Sequence, residues 1–116
     1  MEEERRKLER KDLAFFTRLF DRETGQLLGN LGNLTSEGAM VITEVPLSIE
    51  KVYRLHMELA ERVFTRSHID FEAVCLWRRP DEFVEHLYNA GFRFVRIDPP
   101  DLEIIDQITR RFALRD

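Results

Sequence analysis

The chain has one cysteine, Cys75, so no internal disulfide can form. Cys75 lies in the apolar stretch AVCLW, which suits a small buried hydrophobe better than a reactive thiol. Also missing is any apolar run near the ~18 residues that a membrane span needs. The N-terminus is charged rather than apolar and so lacks the core of a secretory signal. These absences lead us to expect a cytoplasmic protein without membrane insertion. Positive charge is short as well: 18 Lys and Arg against 22 Asp and Glu leave a formal net charge of −4. General nucleic-acid binders show a basic domain, so no DNA or RNA partner is expected and any anion site must be local. No Gly-rich loop precedes a helix, and no nucleophile–base pair or paired carboxylates stand out. The histidines His56, His68 and His86 have no metal-like spacing and are read as solvated. No enzyme activity, cofactor or metal is therefore expected.

What is present suits one globular domain. The chain has 116 residues, of which 43 % are hydrophobic and 34 % charged, enough for a single core. Residues 1–12 form a charged arm whose one large apolar residue is Leu8. A lone apolar side chain gives such an arm little reason to pack, so it is expected to be mobile until something docks it. From Leu13 the texture becomes strand-like. LAFFTRLF reads as a first strand, DRETG as a turn and QLLGNLG as the returning strand. Gly29 and Gly32 mark bulges or a close backbone approach. NLTSEG is a second turn and AMVIT a third strand.

Pro46 then opens a connection. Beyond it Tyr53, Leu55, Met57 and Leu59 alternate with polar residues, as do Ile69, Phe71, Ala73, Cys75 and Trp77. A period of two marks half-buried antiparallel strands, joined here near AERVFTR. RRPDEFVEH reads as a long loop, and YNAGFRFVRI as a sixth strand. The period then switches. Asp98 followed by Pro99 and Pro100 resembles a helix start, and Ile104, Ile105, Ile108 and Phe112 recur at helical spacing. The expected fold is mainly β: a six-stranded antiparallel barrel over residues 13–116, with a C-terminal α-helix at about 99–114.

Two short motifs could carry binding chemistry. Arg6-x-x-x-Arg10 lies in the arm, and Asn33-x-Thr35-x-x-Gly38 lies in the second turn. Alone, the first is common in charged arms and the second is ordinary turn chemistry. Arginine forks bind phosphate oxygens bidentately, match the O6/N7 edge of guanine and stack on purine faces. Two arginines four apart lie about 13 Å from each other in an extended arm, or on one face of a helical one. Trp77 with Arg78 and Arg79 forms a third candidate patch, an indole to stack on a base beside cations for phosphate. Trp77 shares the odd-numbered face with Phe71 and Cys75, which places part of its ring in the core.

With both motifs in this order, the chain resembles the PilZ family, bacterial receptor domains for cyclic di-GMP. That family is marked by RxxxR before the first strand and (D/N)xSxxG between the second and third. AVCLW and GFRF resemble its fifth- and sixth-strand landmarks. The resemblance implies a six-stranded split barrel and a ligand-sensing function without catalysis. It implies cyclic di-GMP contacts by Arg6, Arg10, Asn33, Thr35 and Gly38, with Arg5, Trp77 and Arg78 as further contacts. Asn33 would meet a guanine edge, Thr35 would offer a hydroxyl, and Gly38 would leave room for the ligand. Two positions depart from the commonest wording: Asn33 replaces aspartate and Thr35 replaces serine. The resemblance also implies a protein effector as partner, with the receptor a monomer or homodimer. The alternative is a PilZ-like adaptor that binds no nucleotide.

Overall fold

A computed structural model describes residues 17–59 and 66–112. The arm, the first residues of the first strand, most of AERVFTR and the last four residues lie outside the described residues. Six strands and a helix follow in order. They are β1 (Arg18–Asp21), β2 (Leu27–Leu34), β3 (Gly38–Thr43), β4 (Val52–Glu58), β5 (His68–Pro80), β6 (Tyr88–Arg96) and α1 (Pro99–Phe112). The strands close into an antiparallel barrel in the order β1-β2-β3-β6-β5-β4, with β1 also paired to β4. It consists of two meanders, β1–β2–β3 and β4–β5–β6, joined along β3–β6 and β1–β4.

Local chemistry accounts for the hairpins. At β1–β2 the Asp21 carboxylate accepts from the Glu23 amide at 2.8 Å, and the Thr24 hydroxyl accepts from the Gln26 amide at 3.1 Å. Such side-chain-to-backbone bonds favour a turn over a continued strand. β3 and β4 are not neighbours, so residues 44–51 must cross an end of the barrel. Leu47 is buried there, and the Ser48 amide donates to the Tyr53 hydroxyl at 2.8 Å. Backbone bonds from Glu50 to the Cys75 carbonyl and from Cys75 to the Lys51 carbonyl tie this crossover to β5.

The period-2 side chains fill the interior. Tyr53, Leu55 and Met57 of β4 are buried, as are Ile69, Phe71, Ala73 and Cys75 of β5. They meet Leu19, Leu28, Leu31, Leu34, Val41 and Phe92. Phe71 and Phe94 pack edge to face at 4.9 Å, as do Tyr53 and Phe92 at 5.9 Å. Helix α1 starts at Pro99, where a proline forfeits no hydrogen bond, and the amides of Asp101 and Leu102 donate to the Asp98 carbonyl. It packs against β2 and β5 and buries Ile104, Ile105 and Ile108. Its buried Asp101 is ion-paired with Arg66. No helix among the described residues is long and apolar enough to cross a membrane.

Two expectations change. β5 continues through Arg78 and Arg79 to Pro80, which pairs with Tyr88, so the loop shrinks to residues 81–87. The sequence signal ended at Trp77 because Arg78, Arg79 and Pro80 are exposed, so no apolar alternation marks them although backbone pairing goes on. Trp77 also leaves the interior face. A register shift between Cys75 and Trp77 makes Leu76 an extra residue, and the bulge turns Trp77 to the outer surface.

Burial removes the Cys75 thiol from water and raises its pKa. Thiol reagents at neutral pH should label Cys75 in the native protein only as fast as the barrel opens, and at once in denaturant. Ile105→Ala empties a fully buried site beneath the helix and should cost about 2–5 kcal/mol in urea unfolding.

Candidate functional site

The β2–β3 turn is built by its own side chains. The Thr35 hydroxyl accepts from the amides of Glu37 and Gly38, each at 3.2 Å, and the Thr35 amide donates to the Gly38 carbonyl at 2.9 Å. The Asn33 side-chain oxygen accepts from the Leu34 amide at 2.9 Å. The Phe94 amide donates to the Glu37 carbonyl at 2.9 Å, which pins the turn against β6. Asn33 faces outward because β2 slips register between Leu31 and Asn33, with Gly32 as the extra residue. It then pairs with Met40.

Gly38 pairs with Arg93 across the β3–β6 seam. A Cβ at Gly38 would strike the Phe92 carbonyl. The room expected there for a ligand is thus taken by the neighbouring strand, and glycine is required by strand approach. Gly91 serves the other side of the seam, since a Cβ there would enter the Trp77 indole. Trp77 therefore lies flat over β6, with the Arg79 guanidinium 4.6 Å from its ring centroid.

Together these residues form one open groove of about 290 Å³ on the outside of the barrel. Asn33, Thr35, Gly38, Met40, Trp77 and Arg93 all line it. The structure thus gathers Asn33, Thr35 and Gly38 from the β2–β3 turn, Trp77 from β5 and Arg93 from β6, three separate stretches of sequence. Arg78 is directed elsewhere: its Nη1 donates to the Leu47 carbonyl at 2.8 Å, and it lies 5.5 Å from the Tyr88 ring centroid. Arg5, Arg6 and Arg10 lie outside the described residues.

Arg93 was missed in the sequence. It is exposed and has no ion pair or side-chain hydrogen bond among the described residues. Its signal was available in GFRF, where an inward Phe92 forces Arg93 outward. His56 and His68 lie part-exposed on the outer face, and the β4–β5 register brings both to Asp70, a proximity their sequence spacing did not show.

The molecule is thus a small closed barrel with a surface groove at a motif-bearing turn. The PilZ domain model matches residues 4–111, and the chain belongs to the PilZ family. PilZ domains are receptor and adaptor domains, not enzymes. No curated protein matches the chain. Among solved structures, the chain is similar to the Bacillus subtilis inhibitor of motility MotI/DgrA, with a TM-score of 0.63 and 23 % identity. That similarity covers 86 % of this chain and 47 % of the other, so the chain spans about half the length of that protein.

Thr35→Val deletes the acceptor of two turn amides and should cost about 1 kcal/mol, measured by urea denaturation, with Thr35→Ser restoring most of it. Gly91→Ala should shift the Trp77 emission, because the added methyl displaces the ring from β6.

Proposed function

We propose that this protein is a cyclic di-GMP receptor, with the ligand seated in the groove at the β2–β3 turn. The observation that carries the reading is the gathering of Asn33, Thr35 and Gly38 into one groove beside Arg93, which has no ion pair among the described residues. Cyclic di-GMP offers two phosphates and two guanines, the two chemistries that arginine forks recognise. Arg93 supplies a fixed cation on a rigid strand. Arg6 and Arg10, with Arg5 beside them, supply the rest when the arm closes over the ligand. Ordering the arm costs free energy and lowers the net affinity. A base that reaches Trp77 has to share or displace the Arg79 guanidinium already stacked on it. The output is a changed surface of arm and groove offered to a protein effector. That fits the structural neighbour MotI/DgrA, an inhibitor of motility. On this reading the site of action is the cytoplasm.

A second reading is an adaptor that binds no nucleotide. One observation favours it: the Thr35 hydroxyl and the Asn33 carbonyl are already engaged in shaping their own turn. Under that reading the groove and the arm meet a protein directly.

Calorimetry with cyclic di-GMP decides between them. The receptor reading expects saturable heat at micromolar protein. Each of Arg6→Ala, Arg10→Ala and Arg93→Ala should weaken binding about tenfold or more, the loss of a charge-assisted hydrogen bond. Affinity should fall as salt rises. No heat from folded protein would sink the receptor reading and leave the adaptor. Undiminished binding by Arg93→Ala would remove that residue from the site.

A further inference from the structure

A second cluster lies on the outer face of the β4–β5 hairpin, away from the groove. His56 and Asp70 are direct cross-strand partners, and His68 precedes Asp70 by two residues on the same face. The two imidazoles stack with centroids 4.4 Å apart and planes at 27°. His56 Nδ1 lies 2.9 Å from Asp70 Oδ1, and His68 Nε2 lies 3.7 Å from Asp70 Oδ2. One ligand atom from each residue falls within 4.8 Å of the other two.

We propose that His56, His68 and Asp70 bind a divalent transition-metal ion of the zinc class. With ligand bonds of 2.0–2.1 Å, a tetrahedral ion holds its donor atoms about 3.3 Å apart. The contacts of 2.9 Å to Asp70 Oδ1 and 3.7 Å to Asp70 Oδ2 lie either side of that separation, and all three donors fall within 4.8 Å of one another, so modest side-chain adjustment would bring them onto one ion. Two imidazoles and one carboxylate suit a borderline ion, whereas calcium and magnesium take oxygen ligands. Water would complete the coordination from the open side, since all three side chains are 31–41 % exposed. Supporting contacts are in place. Ser67 Oγ lies 3.2 Å from His68 Nδ1, a hydrogen bond that leaves Nε2 facing the carboxylate. The Phe20 ring packs edge-on against His56 at 6.1 Å and restricts its swing. Arg22 competes with the ion at the edge of contact, its Nε 3.9 Å from Asp70 Oδ1 and both side chains partly open to water. A bound ion would clip β4 to β5, independently of whether the groove holds a nucleotide.

The test uses the full chain without a histidine tag, stripped with a chelator and titrated with zinc chloride in a calorimeter. Cobalt substitution reports geometry through its visible bands. One ion per chain should bind. His56→Ala and His68→Ala should each lower the affinity at least about tenfold, with circular dichroism confirming the barrel. His68 is the more exposed of the two, so its variant keeps the test sound if His56→Ala disturbs packing against Phe20. His86→Asn, in the 81–87 loop, should bind as the parent does. Arg22→Gln should bind equally or more tightly. Absence of zinc binding at hundreds of micromolar, or undiminished binding by folded His68→Ala, would overturn the proposal.

Discussion

Two seams hold the halves of this barrel together, and the one between β3 and β6 shapes its outer surface. Six residue pairs, from Gly38↔Arg93 to Thr43↔Tyr88, join one meander to the other. The strands approach so closely at its open end that only glycine fits at position 38. The turn that precedes β3 is fixed to β6 by the Glu37 carbonyl, and the indole that follows the β5 bulge lies on Gly91. Groove, turn and aromatic platform are therefore consequences of one backbone contact. The second seam, β1–β4, closes the cylinder with three residue pairs among the described residues, reinforced by the exposed Arg18–Glu58 ion pair at 2.8 Å.

The succession of six strands and a final helix was legible in the chain because burial leaves a periodic trace. The clean alternation in β4 and in the first half of β5 places the same side chains inside as the structure does. The turn chemistry of DRETG and NLTSEG likewise acts locally, so the residues that specify it are adjacent. The start of α1 was visible for the same reason.

What stayed hidden depends on register. A bulge adds one residue without altering composition, so Trp77 kept its odd-numbered place in the pattern while its ring moved to the outside. Arg93 acquires meaning only once Gly38 is known to lie opposite it. His56 and His68 are twelve residues apart in the chain, and only the hairpin register stacks them beside Asp70. The end of β5 escaped notice because its pairing is carried by backbone bonds, which leave no mark on exposed side chains.

Closure has a consequence for how this domain can be recognised. Every strand among the described residues has hydrogen-bonded neighbours on both sides. A partner therefore cannot join by adding a strand of its own without first displacing one already paired. Whatever reads this molecule must do so through side-chain relief: the groove, the loops at the barrel ends and the outward faces of the strands. Recognition by shape and charge, rather than by shared backbone, also protects such a barrel from edge-to-edge self-association.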